Sequence, residues 1–149
     1  MTSEFAFCLE SGDRALREGR YADAEHALTA ALALEPRSVK AHFKLGLVLE
    51  RLGQWARAEA AFRAAVRWKR DHAVAWLRLA AACRRQGKGA EEEKAAREAA
   101  RLAPTSAEAH HALAVTLLRL GRADEAVPVF EEAIRLAPSS AVARRGLGE

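Results

Sequence analysis

The sequence predicts an all-α protein built from four stacked two-helix repeats, and three observations carry that prediction. Proline recurs at Pro36, Pro104 and Pro138, with separations of 68 and 34 residues. Gly19, Gly53, Gly87 and Gly121 keep a 34-residue spacing throughout, each 17 residues ahead of a proline position. Half of the residues are hydrophobic but only 6% are aromatic, and alanine dominates, which leaves too few strand-forming side chains for a sheet. A fixed period of this length marks tandem repeats that bury a common core by stacking. Counting back from the prolines divides the chain into repeats at 5–38, 39–72, 73–106 and 107–140, with 141–149 as a partial helix. One domain, 1–149, is expected, and at 149 residues it can bury a core without disulfides or metal.

In the first repeat, Gly12, Tyr21, Ala24, Leu28, Ala31 and Pro36 mark the helix pair. The second is the plainest. Ser38 caps a helix running to about Arg51, with His42, Leu45, Gly46 and Leu49 on one face. Gly53 ends it, and a second helix runs from about Trp55 to Trp68 with Ala58, Phe62 and Ala65 on its inner stripe. Arg70 replaces the proline and Trp68 the leucine of the other repeats, which predicts a looser or differently angled turn into the third repeat.

The third repeat places Glu92 where a small residue belongs, Ala96 where an aromatic belongs, and Gly89 in the first turn of its second helix. That helix is expected to be the least well packed, and Glu92→Ala to stabilise the protein by removing an unpaired buried carboxylate. In the fourth repeat, Thr105-Ser106-Ala107-Glu108 has capping-box spacing between Thr105 and Glu108. Pro128 lies inside the last long helix, which predicts a kink or a late start. The 141–149 segment, with Gly146 and Gly148, is too short to cover that helix well. Val129, Ile134 or Leu136 is then expected to be partly open, so that the chain either continues in a longer protein or self-associates through its C-terminal end.

The residues quoted above, with Leu45-Gly46, Leu113-Ala114, Ala126, Phe130 and Ala133, make the chain resemble the tetratricopeptide-repeat (TPR) family. The resemblance implies a right-handed α-α superhelix, a solenoid whose concave face is lined by the first helix of each repeat. It also implies groove side chains at repeat positions 2, 5, 6, 9, 12 and 13. The expected partner-binding groove therefore includes Lys40, Phe43, Lys44, Leu47 and Arg51 in the second repeat. The third adds Val74, Leu77, Arg78, Arg84 and Arg85, and the fourth His111 and Arg119. Basic side chains dominate its centre, and Phe43, Leu47, Val74 and Leu77 set apolar surface between them. Arg17, Arg51, Arg85 and Arg119 form a row at position 13 that also fits a purely structural reading, since a cation near a helix C-terminus is favoured by the backbone dipole.

These features predict a protein-protein interaction scaffold that binds an acidic or acidic-apolar segment of a protein or peptide. A small secretion or assembly chaperone of the same family is the alternative. One subgroup is disfavoured: co-chaperones of this family grip chaperone C-termini with Lys and Asn side chains, and a trailing Arg, at set groove positions. Counted from the first repeat those places hold Leu9, Asp13, Lys44, Val74 and Arg78, of which only Arg78 matches; counted from the second, none matches. Nucleic acid is not expected despite the net charge of +4, because Phe43 is the only aromatic at the groove centre.

No enzyme, cofactor or metal is expected. Nucleotide-binding, hydrolase and zincin motifs do not occur. His110 and His111 point about 100° apart on one helix, and Cys8 and Cys83 have no ligand spacing around them. Both cysteines are read as reduced core residues. No apolar run reaches the roughly 18 residues of a membrane span, so a cytoplasmic protein is expected.

Overall fold

The structure is a computed structural model that describes residues 3–138. Eight α-helices occupy these residues: α1 (Glu4–Arg17), α2 (Tyr21–Leu34), α3 (Val39–Arg51), α4 (Trp55–Trp68), α5 (Ala73–Arg85), α6 (Gly89–Leu102), α7 (Ala107–Arg119) and α8 (Ala123–Leu136). No strand occurs among the described residues. Expectations for 141–149 lie outside them. Contacts gather into two compact halves, Met1–Asp71 and His72–Glu149, each containing two helix pairs.

Helix punctuation repeats through both halves because it is written in short-range chemistry. Ser3, Ser38 and Ser106 accept a hydrogen bond from the backbone N–H three residues on, at 3.0, 3.1 and 3.1 Å, satisfying an otherwise orphaned donor. At α5 the imidazole of His72 takes that role, its Nδ1 accepting from the Ala75 N–H at 3.1 Å. The cap of α7 is Ser106, not Thr105: a residue one place too early cannot reach the Ala109 N–H, and Glu108 sits within the first turn instead. Each first helix ends at a left-handed glycine, as at Gly53 with φ 72°. There the Gln54 N–H folds back to the Leu49 carbonyl at 2.9 Å.

In the N-terminal half, α1 and α2 approach closely because Gly12 carries no side chain; a Cβ there would stand 2.6 Å from Leu28 Cγ. Gly46 does the same for α3 and α4, where a Cβ would stand 2.5 Å from Phe62 Cε1. Ala15, Ala24, Leu28 and Val48 form a buried cluster flanked by Leu9, Leu16, Tyr21 and Leu45. The last turn of α4 keeps its closing hydrogen bond despite the sequence departures that follow it. Lys69 N–H closes on Ala65 O at 3.0 Å, as Glu35 does on Ala31 at 2.9 Å. The guanidinium groups of Arg37 and Arg67 lie 4.7 and 5.1 Å from the ring centre of Trp68.

In the C-terminal half, α6 is well packed, contrary to the expectation. It buries Ala95, Ala96, Ala99 and Ala100 together with Glu92, since a row of methyl side chains lets neighbouring helices come near. Gly89 belongs to that close fit: a Cβ there would meet Leu120 Cδ2 at 2.8 Å. Pro128 produces no late start, because α8 begins at Ala123 and continues through it to Leu136 with Pro128 on the exposed side. Val129, Ile134 and Leu136 are half-buried.

Candidate functional site

In the N-terminal half the residues expected to line a groove come from α3, and two of them are committed to the half's own structure. Lys44 donates to Asp13 Oδ1 at 2.5 Å, tying α3 to α1. That hydrogen bond, against the opposing effect of burial, holds the Asp13 carboxyl below its ordinary value, and the charges of Lys44, Arg17 and Lys40 add to it. The basic character expected here is therefore partly cancelled within the half. Phe43 is half-buried with its ring tilted against Phe62, 5.8 Å between centres. Leu47 is half-buried, while Lys40 and Arg51 are exposed.

In the C-terminal half, a pocket of about 560 Å³ opens between α5 and α7. Leu77, Arg78, Ala81 and Arg84 line it from α5, and Glu108, His111 and Val115 from α7. Small side chains at Ala81 and Ala112 leave the space that larger residues would fill. Arg84 is exposed and makes no ion pair with the described residues. Val74 is 51% exposed on the same helix, and Arg78 and Arg85 are exposed beside it.

Two side chains in this half differ from expectation. Glu92 is buried at the small-residue position, yet it is not unpaired. Its Oε1 accepts from Thr116 Oγ1 at 2.8 Å and from the guanidinium of Arg119. Arg119 is thus engaged in the fold, and the reason for expecting Glu92→Ala to stabilise the protein is gone. Glu92 also lines the pocket, a role its repeat position did not suggest. The available signal was Thr116, a hydroxyl where the second and third repeats carry Val48 and Ala82.

His111 packs edge-on against Phe130, 5.7 Å between ring centres, and its Nδ1 is buried without a hydrogen-bond partner among the described residues. Burial, with the nearby charge of Arg84, holds its imidazole below the ordinary value of 6.5. His110 is turned away, with Nδ1 2.9 Å from the Ser106 carbonyl, so the adjacent histidines do not converge. Neither Cys8, half-buried, nor Cys83, buried, forms a disulfide among the described residues. No helix among the described residues is long and apolar enough to cross a membrane.

Comparison with known families places tetratricopeptide-repeat profiles on residues 9–73, 73–116 and 107–140. No curated protein matches the chain. Among solved structures, a crystal structure of MamA protein aligns at a TM-score of 0.93 and 22% identity, over 99% of this chain and 81% of that one. A second MamA crystal structure aligns at 0.88 and 23%, over 92% and 80%. MamA from Desulfovibrio magneticus RS-1, residues 41 to the end, aligns at 0.83 and 22%, over 90% and 76%. At these identities the likeness concerns the fold.

Proposed function

Because the chain belongs to the tetratricopeptide-repeat family, a family of protein-interaction modules, we propose that it is a scaffold whose first-helix surfaces receive an acidic-apolar segment of a partner protein. No reaction is assigned to it. The observation that supports this reading most directly is the pocket in the C-terminal half. Leu77, Ala81 and Val115 offer apolar surface there, beside the unpaired cation of Arg84. A segment with an apolar side chain and a neighbouring carboxylate would bury the first and pair the second. Lys44 contributes less than its position suggests, being already bonded to Asp13.

The test is selection from a random peptide library on the intact protein. Enriched peptides are expected to combine aliphatic or aromatic residues with Asp or Glu. Arg84→Glu should weaken their binding about tenfold, the scale of one reversed charge contact, while far-ultraviolet circular dichroism stays helical. Wild-type affinity should also fall between low and high salt, since charges at an open site are screened within roughly 8 Å at physiological ionic strength. Peptides enriched without acidic residues, or indifferent to Arg84→Glu, would overturn the reading. Lys44→Glu is a poorer probe, because the new carboxylate would face Asp13.

A further inference from the structure

The wall of the same pocket holds a carboxylate that is almost wholly buried: Glu92 is 3% exposed. Both of its hydrogen bonds, from Thr116 and Arg119, fall on Oε1. Oε2 receives none from the described residues, and Glu92 lines the pocket. Glu92 Oε2 is not among the sealed, unpartnered side-chain atoms, of which His111 Nδ1 is the one found among the described residues; this oxygen keeps an open side and can accept from a ligand that brings a donor.

His111 supplies the complementary group. Its Nδ1 is sealed and unpartnered, and orphaned buried N–H groups are rarer than orphaned acceptors, so the proton of the neutral ring is assigned to Nε2. His111 lines the pocket, and Nε2, unlike Nδ1, is not among the sealed, unpartnered atoms, so the imidazole has an N–H to offer an occupant. The charge of Glu92 is already met by Arg119. Beside it, a carboxylate would set an acceptor against Glu92 Oε2, and an ammonium would bring no acceptor for His111 Nε2–H. A neutral group with a donor and an acceptor at separate atoms matches both in kind.

We propose that this pocket is a specificity pocket for a carboxamide side chain, Asn or Gln, of the partner segment. The amide N–H donates to Glu92 Oε2, and the amide oxygen accepts from His111 Nε2–H. The proposal rests on the peptide-binding reading above and adds a residue preference to it.

The library selection tests it with a defined swap. Enriched peptides are expected to carry Gln or Asn at a fixed spacing from the acidic residue, and its change to Glu should weaken binding to the wild type about tenfold. Glu92→Gln can keep its amide oxygen toward Thr116 and Arg119 while turning its NH2 to the pocket. It should therefore reverse the preference, binding the Glu peptide better than the Gln peptide. His111→Phe, which keeps a ring against Phe130 and removes only the donor, should lower the preference for Gln over Leu severalfold and serves where Glu92→Gln fails to fold. Arg84-dependent peptides with no carboxamide preference, or a preference that neither variant alters, would overturn the proposal and leave the scaffold reading standing. Binding indifferent to Arg84→Glu would overturn both.

Discussion

At Glu92 the repeat calls for a small side chain, and a lone carboxylate there would cost several kcal/mol or take up a proton. The protein meets that cost with two donors from α7, Thr116 and Arg119. Removing the carboxylate would leave the Thr116 hydroxyl bonded to the Ala112 carbonyl, at 2.8 Å, and release Arg119, whose side chain is itself 43% exposed and easily rehydrated. Glu92→Ala is therefore expected to destabilise the protein by only about 1 kcal/mol, the usual net worth of a hydrogen bond lost with no group left unmatched. Combining it with Thr116→Val should recover none of the loss, because no hydroxyl is stranded. Urea unfolding of the two single variants and the double variant measures both quantities. A Glu92→Ala protein more stable than the wild type would show that burial of the charge outweighs its hydrogen bonds.

Helix pairs are the elements of this fold, and their spacing is set by what stands between them. A Cβ on Gly46 would come within 2.5 Å of Phe62 Cε1, and Phe62 is fully buried. The fourth repeat nevertheless combines Ala114 with a buried Phe130 at the matching places, so a pair of helices can accommodate a methyl by moving slightly apart. Gly46→Ala should accordingly cost only about 1–2 kcal/mol, and Gly46→Val, with two more carbons to place, should cost more than twice that or prevent folding. Thermal melts of the two variants decide it; equal melting temperatures would mean that α3 and α4 are not closely coupled. The same contrast explains what was legible beforehand. Ser38, Gly53 and their counterparts act on backbone groups a few residues away, so sequence spacing alone places the helix ends near where they are observed. Asp13 with Lys44 and Glu92 with Thr116 are 31 and 24 residues apart. The repeat frame gives the phase of each residue on its helix, but not which polar atoms meet across neighbouring helices. Position 6 therefore read as open basic surface at Lys44, and position 20 as a defect at Glu92.

For the whole molecule, acid should act in two stages. His111 is held below its ordinary value of 6.5 by burial and by Arg84. A depressed base binds its proton more readily when unfolded, so its contribution is intact above about pH 6.5 and declines as pH falls through the lower folded value. Carboxylates in both halves follow at lower pH. Asp13 is depressed chiefly by the hydrogen bond from Lys44, Glu125 by Arg122 and Glu132 by Arg135. At Glu93 burial pushes upward, but hydrogen bonds from Arg97 and Arg122 prevail. Their contributions are fully present above the ordinary values, 4.5 for Glu and 3.8 for Asp, and are lost as pH falls through the depressed folded ones. Melting temperature should thus slip gently below about pH 6.5 and fall steeply only below about pH 4. His111→Phe should remove the first slope and keep the second. Arg122→Gln, which takes a hydrogen-bond partner from both Glu93 and Glu125, should flatten the second and keep the first. A single steep loss centred near pH 6.5 in the wild type would mean that imidazole protonation, and not the loss of carboxylate pairs across the surface, controls acid unfolding.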